Sequence, residues 1–436
     1  MPAGLRVAVI GAGAAGLCAA RHVLSRPRSF APPVVFEQSG HVGGTWFYEE
    51  QAERGDGRPV HSSMYRDLRT NLPKEVMMFP DFPFEPQLPS FLPHQEVQRY
   101  LESYSERHGV RPHIRFHTLV EEVNPVVMET EGEEARTTWA VTSSDESGRR
   151  RTETFCSVFV CTGHYSDPHI PNIPGIENFT GSLLHSHSYR EPEPFSGRSV
   201  VVLGASASGL DISLELAAVG AQVTLSHARP DVTLPASSGV QQVAPVVAVE
   251  QDGSLRLQDG SRRDADVLLL CTGYRYSFPF LRPARLGLDV RQHLVTPLYL
   301  HLVPPAFPSL FFIGICQLIV PFPCVHVQVQ FALAVLQGSV SLPSRAVMEE
   351  EVRREQEEKT GRGVAPRHLL RLQQEQWSYY EELARRGGFA PPPPVTRSLY
   401  EEVWRQRRHS LGTYRSANYR LLSATRWEAR PGQGST

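Results

Sequence analysis

The stretch VAVIGAGAAG, residues 7–16, returns as VVVLGASASG at residues 200–209. Each copy begins as an apolar, β-branched run, stops at a glycine-rich turn and resumes in helix-forming residues. A strand that reopens as a helix through such a turn is the core of a dinucleotide-binding unit. Two copies in one chain therefore predict two such units. A second repeat supports the duplication: VFVCTGHY (158–165) and LLLCTGY (268–274) each end a buried strand on Cys-Thr-Gly.

The surrounding pattern fits two α/β units. Residues 6–10 read as strand, 14–25 as helix and 34–37 as a second strand. Val97, Leu101 and Tyr104 share one face of an amphipathic helix. WAVTSS (139–144) and TFCSVFVCTG (154–163) flank the turn DESG and read as a hairpin. In the second unit, SVVVLG, SGLDISLELAAVG and AQVTLSH form a complete strand–helix–strand. Beyond residue 345 the chain reads as charged helices, with Glu349/Arg353 and Glu350/Arg354 as i,i+4 pairs.

Composition narrows the class. The 436 residues carry a net charge of −2, which gives no reason to expect nucleic acid or an anionic membrane as partner. Six cysteines without a C-x-x-C pair read as scattered thiols in a reducing compartment, and metal-ligand spacing is absent. His164, His169, His187 and His326 read as surface or satisfied histidines. The first strand (residues 6–10) starts almost at once, so no secretory signal is expected and the location reads as cytoplasmic. Gln292 to Ser344 contains no Asp, Glu, Lys or Arg, but seven prolines divide it. Its longest uninterrupted apolar piece is shorter than the ~20 residues a membrane helix needs. It reads instead as a buried strand (310–315) followed by a core helix (325–337), with no transmembrane anchor.

The first turn is G-x-G-x-x-G, at Gly11, Gly13 and Gly16. The first glycine permits the tight turn, the second the approach of a pyrophosphate, and the third close packing of helix and strand. The helix N-terminus then offers N–H groups and a favourable dipole. Glu37 ends the next strand 21 residues after Gly16, where an acid binds ribose hydroxyls. The second turn, Gly204, Ser206, Ser208 and Gly209, has serine at the middle position. That Cβ would crowd a pyrophosphate, though its hydroxyl could donate to one. No acid follows; Ser226, His227 and Arg229 stand there instead. An arginine at this place suits a 2′-phosphate, hence NADPH rather than NADH. The pair of turns points to a flavin, FAD, that takes its electrons from a nicotinamide. The expected fold class is α/β, with two Rossmann-like dinucleotide-binding domains, the NADPH domain (166–279) inserted into the FAD domain (1–165 and 280–436, with C-terminal helices).

Between the two turns lies FTGSLLHSHSY, with Phe179, Gly181, His185 and Tyr189. It matches F-x-G-x-x-x-H-x-x-x-[Y/F], and on this and four other stretches the chain resembles the flavin-containing monooxygenases. EQSGHVGGTW (37–46) is similar to that family's second flavin-contacting stretch, which makes Gly44 and Trp46 expected flavin neighbours. LRTNLPKE (68–75) resembles the loop with the family's active-site asparagine, here Asn71, with Thr70 beside it as a cofactor contact. DFPF (81–84) and LLLCTGY recur as well. The Arg-Thr-Asn-Leu-Pro wording is most similar to the shorter, plant S-oxygenase-like branch. The resemblance implies hydride transfer from NADPH to FAD and reaction of reduced flavin with molecular oxygen to a C4a-hydroperoxide. It also implies that NADP⁺ stays bound, that Asn71 hydrogen-bonds near the adduct, and that a small sulfur or amine nucleophile is oxygenated. His185 is then a positioning element rather than a base, and Gln317 a contact near the isoalloxazine. A homodimer is compatible with the sequence, which does not specify it.

Three rivals share part of this pattern. Baeyer–Villiger monooxygenases end the same motif in tryptophan where this chain has Tyr189. Pyridine-nucleotide disulfide reductases need a cysteine pair near the first helix, where Cys18 stands alone. A non-oxygenating NADPH-binding flavoprotein draws support from Ser206, and a poorly coupled NADPH oxidase stands beside these three as a further alternative.

Overall fold

The structure is a computed structural model that describes residues 4–52, 60–128 and 136–430. In chain order its main elements start with β1 (Val7–Ile10), α1 (Ala14–Leu24), β2 (Val34–Phe36), α2 (His94–Arg107) and β3 (Ile114–Arg115). Three antiparallel strands follow, β4 (Leu119–Met128), β5 (Arg136–Ser144) and β6 (Arg150–Phe155), and then β7 (Ser157–Val160). The second unit contains β8 (Ser182–His185), β9 (Ser199–Leu203), α3 (Ala207–Ala218), β10 (Gln222–Ser226), β11 (Val240–Val243) and β12 (Val267–Leu270). The chain then adds β13 (Leu310–Phe312) and helices α4 (Pro321–Leu336), α5 (Arg345–Gly361), α6 (Gln376–Gly387) and α7 (Pro394–His409).

Two five-stranded parallel sheets result. One has the order β13-β7-β1-β2-β3, the other β11-β10-β9-β12-β8. The strands of the second sheet lie in sequence between β7 and β13 of the first. One dinucleotide unit is thus inserted into the other. Central strands β1, β7, β9 and β12 are apolar on both faces because helices or the meander cover both sides.

The two glycine turns superpose residue by residue in their contacts. Gly11 and Gly204 have φ of +103° and +107°, a left-handed region that only glycine enters without strain. A Cβ on them would stand 2.7 Å and 2.6 Å from the carbonyl oxygens of Cys161 and Cys271. A Cβ on Gly16 or Gly209 would stand 1.8 Å from the oxygen of Gly11 or Gly204. The third glycine therefore makes room chiefly for the carbonyl of its own turn, and only secondarily for the strand.

Several expectations need correction. The run 154–163 is not one arm of a hairpin. It breaks at Cys156, whose N–H donates to Arg6. Residues up to Phe155 pair with β5, whereas Val158 to Val160 are buried on both faces and join the parallel sheet. The strand of the charge-free segment ends at Phe312, and its helix begins at Pro321 rather than Val325. Proline fits a helix's first turn, where its missing N–H has no intrahelical acceptor. On α5, Glu349 pairs with Arg345, and Arg353 pairs with Glu350 and Glu357, so the expected Glu349/Arg353 and Glu350/Arg354 pairs do not form. Among the described residues no helix is long and apolar enough to cross a membrane.

The second unit is tied to the first through the segment that follows β8. The Arg190 guanidinium donates to the carbonyls of Glu49, His187 and Tyr189, and Arg66 reaches Glu191 and Glu193. Tyr189 is 1% exposed and donates from its hydroxyl to Glu215 on α3 at 2.9 Å.

Burial pushes the Glu215 carboxyl up to about 7; the charges of Asp211 and Asp67 add to this and the Tyr189 hydroxyl opposes it. The folded chain thus keeps a proton that the unfolded chain releases above 4.5. Stability is lost as pH rises through that window, by an amount on the order of 3 kcal/mol for a shift of this size. Glu215→Gln is expected to gain on the parent as pH rises, with a larger difference in Tm at about pH 8 than at about pH 5. A difference that does not change with pH contradicts this assignment.

Candidate functional site

Ligands of open parallel sheets bind beyond the carboxyl ends of the strands. At that edge of the first sheet the structure gathers Gly11, Gly13, Gly16, Glu37 and Gly44. Gly13 pairs with Gly43 in an isolated bridge, and the Gly44 Cα lies 3.5 Å from where a Cβ on Gly13 would be. The buried Glu37 carboxylate accepts from the Ala12 N–H, and from the Ser39 N–H and hydroxyl, each at 2.8 Å. Glu37 thereby locks the turn that carries Gly11 to Gly13. Trp46 lies in the short 3-10 turn after Gly43 and packs half-buried on the main core.

Neighbouring strand exits complete this edge. After β7 the Thr162 hydroxyl is buried without a hydrogen-bond partner, and the buried His164 ring faces the Gly314 backbone. Gly163, at φ +69°, faces open space. Burial lowers the His164 pKa to about 4, so the ring is neutral. Beyond β13, the Gln317 amide donates to the Tyr276 hydroxyl at 3.2 Å, and the His164 ring lies 5.4 Å from that of Tyr276. Buried polar groups without protein partners need a ligand or water to satisfy them. The cradle therefore fits a flavin dinucleotide, with backbone N–H groups at the α1 N-terminus for phosphates and polar side chains further along the edge.

The second cradle has the same frame and different chemistry. Gly13 and Ser206 both cap a helix in extended conformation, at φ −74° and −89°, without a side-chain capping bond. Neither position demands glycine by conformation, so serine is accommodated without strain. The Ser206 and Ser208 hydroxyls have no protein partner among the described residues. Arg229 is not a free loop charge. Its Nη1 donates to the Ala205 carbonyl inside the turn at 3.0 Å, and its other nitrogens reach Asp231. The Arg229 N–H also donates to His227 Nδ1, which orients the loop. A cavity of about 410 Å³ is lined by His227, Val232 and Gln242.

Asn71 and Thr70 lie on a segment clamped to residues 91–94. The Thr70 N–H donates to Leu92 O at 2.8 Å, and the Leu92 N–H donates to the Thr70 hydroxyl at 2.9 Å. Thr70 is 3% exposed, and its hydroxyl, which accepts from the Leu92 N–H, ties the loop while keeping its own O–H to donate. The Asn71 side chain has no hydrogen-bond partner among the described residues, and none joins it to Gly13 or Gln317. His185 accepts from the His187 N–H through Nδ1 and contacts the Gly273 carbonyl through Nε2 at 3.1 Å. Both nitrogens are thereby engaged by backbone, which fixes the ring.

The histidines read as surface or satisfied groups need correction. His164, His169 and His187 each keep a buried nitrogen without a partner. His326 is buried on α4, and its Nδ1 lies 3.2 Å from His22 Nε2. With Cys18 these two histidines form a group whose ligand atoms lie within 4.8 Å of one another, which sequence spacing conceals because α1 and α4 are far apart in the chain. Arg21 and Arg26 stand against His22, so protein cations already supply the positive charge at that point.

The residues that sequence reading missed are Arg415 and Asp211. Arg415 donates from Nε to the Thr70 carbonyl at 3.0 Å and from both terminal nitrogens to the Asp211 carboxylate at 3.1 and 2.6 Å. Asp211 follows the second turn by two residues, on α3. No motif flags Arg415, which lies in the C-terminal segment.

Comparison with known proteins agrees with this geometry. The model of the family "Flavin-binding monooxygenase-like" matches residues 4–237 and 230–432. Flavin-containing monooxygenase FMO GS-OX5 of Arabidopsis thaliana is 36% identical over 97% of this chain and 92% of its own length. Among solved structures, S-allyl-L-cysteine S-oxygenase from Allium sativum is similar with a TM-score of 0.84 and 35% identity, covering 94% of this chain and 95% of its own. Tmm from Pelagibacter sp. strain HTCC7211 also reaches 0.84, at 27% identity over 99% of this chain and 97% of its own. Cyclohexanone monooxygenase, at 16% identity and a TM-score of 0.59, shares the fold. With two dinucleotide cradles of the expected chemistry and these likenesses along nearly its whole length, the chain belongs to the flavin-binding monooxygenase family, whose cofactors are FAD and NADPH.

Proposed function

We propose that this protein is an NADPH-dependent S-oxygenase of small molecules, with amine nitrogen as a secondary nucleophile. The observation that carries the reading is the pair of unequal cradles: one with Glu37 at the ribose position, the other with Arg229 at the turn. The likeness to an oxygenase named for a thioether, S-allyl-L-cysteine, supports sulfur as the acceptor atom. Tyr189 supports it further against ketone oxygenation, since the Baeyer–Villiger motif has tryptophan there.

When bound, FAD reduced by NADPH supplies the activated oxygen, which is the hard chemistry of the reaction. The chain's part is binding, orientation and exclusion of water. Glu37 accepts from ribose hydroxyls with the lone pairs that Ala12 and Ser39 leave open. The α1 and α3 N-termini and the Ser206 and Ser208 hydroxyls donate to pyrophosphate oxygens. Arg229, now paired with Asp231, would hold the 2′-phosphate of NADPH. Asn71 would present its amide to the reacting oxygen, with Thr70 holding the loop that carries it. Gln317 and His164 would line the isoalloxazine end. The absence of a catalytic triad or carboxylate pair fits this division of labour.

The reading is tested by mixing the purified protein with NADPH without oxygen, then admitting oxygen with a methyl aryl sulfide, a tertiary amine or a ketone. Flavin bleaching and sulfoxide as main product are expected. Failure to bleach would favour a non-oxygenating flavoprotein, and ester from the ketone as main product would favour the Baeyer–Villiger reading.

Two substitutions probe individual residues. Asn71→Ala is expected to keep FAD and its reduction by NADPH but to release hydrogen peroxide in place of sulfoxide; a parental product yield would remove Asn71 from the site. Arg229→Ala is expected to raise the KM for NADPH by roughly 10- to 100-fold, the usual worth of a charge-assisted bond, while barely moving that for NADH. Equal effects on both nucleotides would withdraw the 2′-phosphate assignment.

A further inference from the structure

We propose that Arg415 is a positioning residue that sets the pyrophosphate helix α3 against the Asn71 loop, so that the nicotinamide cofactor and the oxygenation site stay in register. The proposal rests on the readings of Asn71 and of the second turn given above.

Three segments remote in sequence meet at one guanidinium. Its Nε grips the carbonyl of Thr70, the residue before Asn71. Its two terminal nitrogens hold both oxygens of Asp211, on the first turns of α3. The Arg415 and Asp211 side chains are 19% and 15% exposed, so the fork is largely shielded from solvent. A planar guanidinium that satisfies a carboxylate with one edge and a carbonyl with Nε fixes distance and angle together, which a lysine cannot do.

The surroundings leave Arg415 little freedom. Its guanidinium lies 5.0 Å from the Tyr414 ring, and Tyr414 packs edge-on against Phe91. Phe91 adjoins Leu92, the partner of Thr70. The next residues continue the same grip, since the Asn418 side chain accepts from the Ser90 N–H and the Tyr419 N–H donates to the Ser90 hydroxyl. The C-terminal segment thus braces the loop from behind while Arg415 reaches Asp211 on α3. One turn further along α3, Glu215 is held by Tyr189. This face of α3 therefore carries two half-buried carboxylates, and Asp211 is the one linked to the loop.

A shift of about 1 Å between cofactor and reacting group can cost on the order of a hundredfold in rate. Loosening this joint is therefore expected to weaken nicotinamide binding and to uncouple oxygenation together.

The test uses the full-length holoprotein with Arg415→Met, Arg415→Lys and Asp211→Asn. FAD content and Tm confirm folding, and the Kd for NADP⁺ is measured by calorimetry beside the KM for NADPH and the peroxide released per NADPH. In Arg415→Met, Kd and KM are expected to rise about tenfold and the peroxide fraction several-fold. Arg415→Lys should fall between that variant and the parent, and Asp211→Asn should reproduce the methionine variant. Parental Kd, KM and coupling in folded Arg415→Met would overturn the proposal and leave the residue a purely structural tie. If Arg415→Met does not fold, Arg415→Lys and Asp211→Asn decide by the same criteria. Asn71→Ala in the same assay separates the two readings. If it does not leak peroxide, the Asn71 reading fails, and Arg415 stands or falls on NADP⁺ binding alone.

Discussion

Each half of this molecule depends on one close approach. The oxygen of the glycine that ends the strand sits where a Cβ on the glycine five residues later would stand, 1.8 Å away in both units. With that Cβ absent, the helix starts directly over the strand end and its unsatisfied N–H groups face the ligand. The same first glycine passes under the carbonyl of Cys161 or Cys271, so the neighbouring strand can exit beside the turn. The Cys-Thr-Gly repeats are the other side of that contact. Sheet order, helix position and ligand edge all follow from it.

From this shared frame the two units diverge by side chain. In the first, Glu37 ties the turn and offers carboxylate oxygen to hydroxyl donors. In the second, Ser206 takes the middle glycine's place at no conformational cost, since both positions adopt the same extended φ. Arg229 then brings positive charge to the turn itself. On the proposed reading, one unit takes a ribose at Glu37 and the other an additional phosphate at Arg229. The wall shared by the units is polar, with the largely shielded Arg190 and Arg415 crossing it and Arg66 joining the units at its exposed rim. Buried polar contacts of this kind hold a particular geometry, because any displacement leaves a desolvated group unpaired.

Legibility in the sequence followed the range of the contacts. The strand–turn–helix units, Glu37 and the Cys-Thr-Gly exits are set by interactions within a few residues or by direct strand pairing, and they read directly. The run 154–163 did not, because the chain passes at Cys156 from the antiparallel β6 to the parallel β7 with no glycine or proline to mark the break. The prolines at 321 and 323 read as breaks, yet they open a helix. The bond from the Leu92 N–H to the Thr70 hydroxyl spans 22 residues, and no local pattern announces it. For the other expected site residues, too, the protein partners come from the fold and not from neighbouring sequence.

The sequence by itself determined two dinucleotide units, their order and the contrasting chemistry of their turns, since these rest on backbone conformations that glycine alone permits and on short-range spacing. Tertiary structure alone decided how the units lock together. Arg415 meets Thr70 across 345 residues and Asp211 across 204. No local pattern marks such an arginine among the many on solvated helices. It differs because packing buries it, and burial forces its five donors to find fixed partners.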